Sequence, residues 1–289
     1  MPKYHIVTDS GVRFSNHARV LQQYPLVVMP NRLDFAGKVY REDVDISTED
    51  ALKLVQSTST PPNVLPPTPQ EYLELYTRLA KTGEGILSIH PSRALSASWH
   101  NAQEAAQQAT SPTCPIVAID SRSFCAAQGM LVRYASDLMA EGVSFADLVN
   151  KVRNAIDRVY AIYCVETLDY LFRNQIVSES RAILGTLLGV RPILGLEDGK
   201  LTVIEKVRTR TQLIEHFVEF VSEFIQLEDV LILQPRASIT EQTRLIQDRL
   251  SLAFPSRHFA FTTYSATTAS YLGADAMGVV VFESEETDD

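Results

Sequence analysis

Three short stretches of this chain put hydroxyl-bearing residues directly after an apolar run: Thr8-Asp9-Ser10-Gly11, His90-Pro91-Ser92 leading on to Leu95-Ser96-Ala97-Ser98, and Asp120-Ser121-Arg122-Ser123. In open α/β sheets, ligands bind beyond the carboxyl ends of the strands. Hydroxyls, together with the unpaired N–H groups of a helix start, bind an oxyanion, and the helix dipole assists. The ordinary use of serine and threonine in such places is to cap helices. Asp9 could act as a phosphoryl-accepting nucleophile. Asp9-Ser10-Gly11-Val12 lacks a second carboxylate two residues on, so magnesium would be poorly held. His90 is the one histidine at this rim, where the ordinary reading is a satisfied core residue. An enzymatic alternative is a hydrolase or transferase acting on a small anion at Asp9, Ser10, His90 and Ser121.

Other catalytic signatures are missing. The sequence has no Gly-rich phosphate loop, no Gly-x-Ser-x-Gly and no His-Glu-x-x-His, and its six histidines are scattered. Arg208 and Arg210 follow the strand-like run Leu201–Val207. Two residues apart on a strand, they point the same way and suit a phosphate or an acidic partner. A solvated edge pairing with Glu205 or Glu215 explains them equally well.

The elements that must position these residues alternate along the chain. Strand-like runs are Ile6–Thr8, Leu26–Met29, Ile86–Ile89, Ile116–Ile119, Val159–Val165, Ile193–Leu196, Leu201–Val207, Val230–Leu233, Phe259–Thr263 and Val279–Phe282. Several are continuously apolar, as expected where both sheet faces are covered. Helix starts are marked at Ser47, at Thr68-Pro69-Gln70-Glu71 (a capping box with proline at its first position), at Ser144 and at Ser238. A further helix after Thr211 carries an apolar face from Leu213 to Phe224, and Asp198-Gly199 marks a hairpin turn. Ser57–Pro69 holds five prolines and reads as a stiff extended loop. The expected fold is α/β in two domains. Residues 1–155 form a parallel-sheet α/β domain, 156–282 an α+β domain, and 283–289 an acidic tail.

Composition narrows the partners. The 289 residues include 26 Lys+Arg against 35 Asp+Glu, a net charge of −9, and five of those acids lie in the last seven residues. A nearly neutral body offers no basic face for a phosphate backbone, so no nucleic-acid partner is expected. The three cysteines lack metal or disulfide spacing and read as reduced thiols. No apolar run approaches the ~18 residues of a membrane span, and no signal-peptide pattern opens the chain, so a cytoplasmic protein without membrane insertion is expected.

Read in order, several segments together resemble the DegV family. They are Ile6-Val7-Thr8-Asp9-Ser10, Tyr40-Arg41-Glu42-Asp43-Val44-Asp45-Ile46-Ser47, Ile86 to Ser92 with Leu95-Ser96, Pro192-Ile193-Leu194, Glu197-Asp198-Gly199-Lys200, and Lys206 to Arg210. The resemblance spans residues 4 to 282. It implies a non-catalytic two-domain protein, without cofactor or metal, that binds one long-chain fatty acid. The acyl chain would lie in a buried tunnel near the second domain, with the carboxylate held by hydroxyls between the domains. Such proteins can carry the fatty acid to a separate kinase subunit, and the family's arginines at that encounter fall on Arg208 and Arg210.

The family's Leu-Ser-Gly-Thr-Tyr segment falls on Leu95 to Trp99, giving Ser96 and Ser98 as head-group hydroxyls. Its Thr-Ser-Gln-Pro-Ser-Pro segment falls on Val64 to Pro69, so the carboxylate-holding threonine is Val64 and Thr68 is the hydroxyl that remains. A shift there would bring in Thr58, Ser59 or Thr60. A family histidine near the C-terminus falls on Tyr271, a possible third donor, and a Gly-Gly-Arg-Ile segment becomes Asn174-Gln175-Ile176-Val177. Burying ~14 methylenes at ~0.8 kcal/mol each supplies ~11 kcal/mol before entropy, enough to tolerate one lost hydroxyl. Small residues in Ile183 to Gly189 would leave room for the chain. A third possibility is a family member acting only through protein contacts, with the tunnel filled by side chains.

Overall fold

The computed structural model describes residues 4–58, 60–174 and 189–285. The first half builds a four-stranded parallel sheet in the order β2-β1-β6-β7, from β1 (His5–Asp9), β2 (Leu26–Met29), β6 (Ile86–His90) and β7 (Ile116–Asp120). Side chains alternate across it. Val7, Ile86, Ile116 and Ala118 face α3 (Pro69–Leu79) and α4 (Ser98–Ala109). Ile6, Leu87, Ile89 and Ile119 face α5 (Cys125–Ala140). Both faces are covered, which is why these strands read as continuous apolar runs.

The second half builds a six-stranded mixed sheet in the order β10-β9-β8-β13-β11-β12. Its strands are β8 (Val159–Cys164), β9 (Arg191–Glu197), β10 (Lys200–Val207), β11 (Leu227–Gln234), β12 (Ala260–Thr263) and β13 (Met277–Glu283). All neighbours are antiparallel except β11 and β12. Helices α8 (Arg210–Ser222) and α9 (Glu241–Ala253) cover its outer face through Phe217, Val221, Ile246 and Leu250. Ala155 ends α6 (Phe145–Ala155), and Val159 opens the second sheet. Among the described residues, no helix is long and apolar enough to cross a membrane.

The two sheets share α5. This helix packs on β1 and β6 on one side and on β8, β11 and β13 on the other. Eight consecutive residues, Cys125 to Val132, are therefore buried, as a helix enclosed all round requires. Gly129 lies where the backbone before α1 (His17–Gln23) crosses the helix: a Cβ there would stand 1.9 Å from the Arg13 carbonyl oxygen. Backbone cannot rotate away as a side-chain tip does. Gly129→Ala is therefore expected to lower stability by about 2–3 kcal/mol. A urea titration giving a loss within about 0.5 kcal/mol would contradict this close approach.

Three features depart from the sequence reading. Residues 32–41 form an unforeseen hairpin of β3 (Arg32–Phe35) and β4 (Lys38–Arg41), turned by Ala36 and Gly37 with φ of 53° and 94°. The stretch read as a stiff loop contains β5 (Asn63–Leu65), which pairs antiparallel with β3. The arginines 208 and 210 do not share a strand. β10 ends at Val207, Thr209 caps α8, and Arg210 is the first residue of that helix. Smaller shifts place the cap of α9 on Thr240 and the start of β12 at Ala260. Residues 183–188, whose small side chains were expected to leave room for the acyl chain, lie outside the described residues, as do Gln175 to Val177, Ser59 and the last four tail positions.

Candidate functional site

A ring of buried polar groups closes the carboxyl end of β1. Asp9, Ser10, Asn31, Glu42 and Gln128 are all at most 3% exposed, so Asp9 and Ser10 do not stand on an open rim. Asp9 Oδ1 accepts from Gly11 N at 2.9 Å and Asn31 Nδ2 at 3.1 Å, and its Oδ2 accepts from Gln128 Nε2 at 2.9 Å. Glu42 Oε2 accepts from the Ser10 hydroxyl at 2.8 Å and the Thr267 hydroxyl at 2.6 Å, and Oε1 accepts from Thr267 N at 2.9 Å. Burial raises the pKa of both carboxyls. Gln128, Gly11 and Asn31 oppose the shift at Asp9, and Arg13 with Thr267 opposes it at Glu42. Three donors on each carboxyl satisfy the charged form, which such burial otherwise penalises.

Thr267 belongs to α10 (Ala266–Leu272), a helix of the second half that packs on α2 (Thr48–Ser57) and β5. Glu42 therefore ties the two halves together, and Ser265 adds a bond from its hydroxyl to the Gly11 carbonyl at 3.2 Å. At the far end of α10, the Tyr271 hydroxyl donates to the Leu95 carbonyl at 3.0 Å, beside Ser96. Burial, then Asp9 and Glu42, hold Tyr271 in its phenol form. Its one proton is already engaged. Tyr271 positions the loop before α4 and is not a free donor.

His90 is fully buried rather than exposed at a rim. Its Nε2 lies 2.6 Å from Ser88 Oγ, and Tyr76 donates to that oxygen at 2.7 Å. Its Nδ1 lies 3.2 Å from Ser98 Oγ, which lies 2.8 Å from the Tyr72 hydroxyl. Burial lowers the His90 pKa to about 3. Serine and histidine here are at nucleophile–base distance, but a base so weak is ill matched to work near neutral pH. Among the described residues no carboxylate bonds to His90, and Asp9 is held by amides.

The start of α4 is open. Its cap residue, Ala97, offers no side-chain cap, and the neighbouring serine takes only one N–H of the first turn. Half-buried Ser96 accepts from Ser98 N at 3.1 Å. Among the described residues no acceptor takes the Ser96 hydroxyl proton. Thr68 sits apart as the cap of α3, its hydroxyl bonded to Glu71 at 2.9 Å. Val64 packs with Leu33, Ala51 and Ala266. Ser121 braces its own turn by donating to the Ser123 carbonyl at 3.2 Å. Arg208 and Arg210 are exposed, and neither makes an ion pair among the described residues. Glu205 and Glu215 pair instead with His216 and Arg249.

The chain as a whole matches a known family. The DegV family model, described as an uncharacterised protein family, matches residues 3–284. The chain belongs to the DegV family. A DegV domain-containing protein of Caldanaerobacter subterraneus is 29% identical over 283 residues, covering 96% of this chain and 98% of its own. The crystal structure of DegV from Bacillus subtilis, described as a fatty acid binding protein, superposes with a TM-score of 0.83 at 25% identity, covering 98% of this chain and 100% of that one. The Streptococcus pneumoniae fatty acid kinase B3 protein, loaded with linoleic acid, gives a TM-score of 0.84 at 20% identity, covering 98% and 100%.

Of the buried polar groups described above, sequence reading singled out Ser96, Ser98, Asp9, Ser10 and His90 but missed Asn31, Tyr72, Gln128 and Thr267, and assigned no role to Glu42. Tyr72 was legible only as one apolar position of α3. The others lie in unremarkable local sequence. Glu42 meets Thr267 across 225 residues of chain, so no local spacing could mark the pair.

Proposed function

We propose that this protein binds one long-chain fatty acid, with its carboxylate at the start of α4 and its acyl chain in an apolar tunnel beside the second sheet, and that it carries the acid to a separate kinase subunit without chemistry of its own. The observation that carries this reading is the first turn of α4, where Ala97 supplies no side-chain cap and Ser96, bonded through its oxygen to Ser98 N, keeps an unclaimed hydroxyl proton. An uncapped helix start presents N–H donors and the positive end of the dipole to an anion. The fold shared with the Bacillus subtilis protein supports the same reading. Val64 adds no donor, so the head group depends on Ser96, Ser98 and backbone. Arg208 and Arg210, exposed beside the α8 start, suit contact with an acidic face of the kinase.

Mass spectrometry of an organic extract of the purified protein tests the proposal. The expected result is one fatty acid per chain, or stoichiometric uptake of added palmitate or oleate. Ser96→Ala should weaken uptake about tenfold, the worth of a hydrogen bond to a charged group. Repeated preparations that carry no lipid and take up none would overturn the reading.

A further inference from the structure

The hydrogen bonds around His90 form a chain with a direction. Tyr76 donates to Ser88 Oγ at 2.7 Å. Ser88 is fully buried, so its own proton needs an acceptor, and His90 Nε2 stands 2.6 Å away. Nε2 then carries no proton, and burial keeps the ring uncharged. The single ring proton sits on Nδ1 and points to Ser98 Oγ at 3.2 Å. Ser98 also meets the Tyr72 hydroxyl at 2.8 Å, and Tyr72 lies 3.5 Å from Nδ1. Five groups thus hold five protons but share four close bonds. One O–H is left over, and the direction of the chain puts it at the Ser98 end. When Tyr72 donates to Ser98, the serine oxygen accepts twice and its own proton is free. Ser98 is the buried first residue of α4, its N–H held by Ser96 Oγ at 3.1 Å and its hydroxyl next to the half-buried Ser96.

We propose that Tyr76, Ser88 and His90, the last in its Nδ1–H form, are positioning residues that fix the Ser98 hydroxyl as a preset donor to an anionic or carbonyl head group at the start of α4. This rests on the fatty-acid reading and deepens it. The site then selects a ligand oxygen that accepts, such as a carboxylate, ester or acyl phosphate, over a head group that only donates, such as an ammonium.

Nitrogen-15 NMR of histidine-labelled protein, with the His90 signals assigned by their loss in His90→Asn, reads the chain directly. An Nδ1–H form, unchanged when palmitate is added, is expected, and an Nε2–H form overturns the proposal. Palmitate titration of three variants reads the donor. Ser98→Ala should weaken binding about tenfold, Ser98→Thr should restore it to within about threefold, and Tyr72→Phe should leave it within about threefold. Loss of binding in Tyr72→Phe to the extent seen in Ser98→Ala would place the spare proton on the tyrosine and overturn the assignment, as would an unaffected Ser98→Ala. Wild-type protein that takes up no fatty acid overturns the functional reading and with it the donor role, whereas the His90 resonances report on the chain alone.

Discussion

Glu42→Ala is expected to destabilise the protein by about 3–5 kcal/mol, because it strips the acceptor from three buried donors at once. The Ser10 hydroxyl, the Thr267 hydroxyl and Thr267 N all end on this carboxylate, and each is cut off from water. The buried Arg13 guanidinium, bonded to Ser10 O at 2.7 Å and paired with Asp43 at 3.1 Å, loses a compensating charge as well. Glu42→Gln keeps the shape and separates the contributions. One amide oxygen still accepts, but its NH₂ meets a donor, so about 1–3 kcal/mol is expected. Urea unfolding should show a lower midpoint with an unchanged slope if the folded state alone is affected. Fatty-acid uptake should fall with it, since α10 carries both Thr267 and Tyr271. A loss below about 1 kcal/mol for the alanine variant would mean that this carboxylate does not hold the halves together.

The contrast between Glu42 and Ser96 shows which parts of the site sequence can reveal. Ser96 follows an apolar strand and precedes a helix within ten residues, and that local grammar is readable. So are β1, β6 and β7, whose apolar character comes from cover on both faces. Glu42 sits in Arg41-Glu42-Asp43, which reads as a solvated charge run, and only the return of the chain at Thr267 makes it interior. The β3–β4 hairpin was legible in part, since Arg32-Leu33-Asp34-Phe35 alternates with the period of a strand, but its turn is marked by a single glycine and spends a positive φ on Ala36 as well as Gly37. The strand β5 was hidden because it is three residues flanked by prolines, stabilised by pairing to β3 rather than by its own propensity. Resemblance supplied the hydroxyls, but it could not show that Thr68 is taken up by its own helix or that the Tyr271 proton goes to Leu95.

Acidification should destabilise the folded protein well before ordinary carboxylates titrate. His90 and His17 are both shifted down by burial, to about 3 and about 4, and Arg13 adds to the shift at His17. In the unfolded chain both titrate near 6.5. Between those values the unfolded state binds more protons than the folded one, so stability is full above about pH 7 and is lost as pH falls through 6.5. Each histidine contributes up to about 1.4 kcal/mol per pH unit, and the pair about 4 kcal/mol between pH 7 and pH 5. Asp9 and Glu42 act in the opposite sense. Their raised pKa values let the folded state bind protons first, which offsets part of the loss at the acid end. His17 isolates one contribution, because among the described residues its Nδ1 has no hydrogen-bond partner, while its ring stacks on Phe14 at 5.5 Å and feels the opposed charges of Arg13 and Asp43. His17→Gln should match the wild type within about 0.5 kcal/mol at pH 8, yet exceed it by about 2 kcal/mol at pH 5. Urea titrations across that range measure the difference, and parallel curves for the two proteins would show that His17 takes up its proton as readily folded as unfolded.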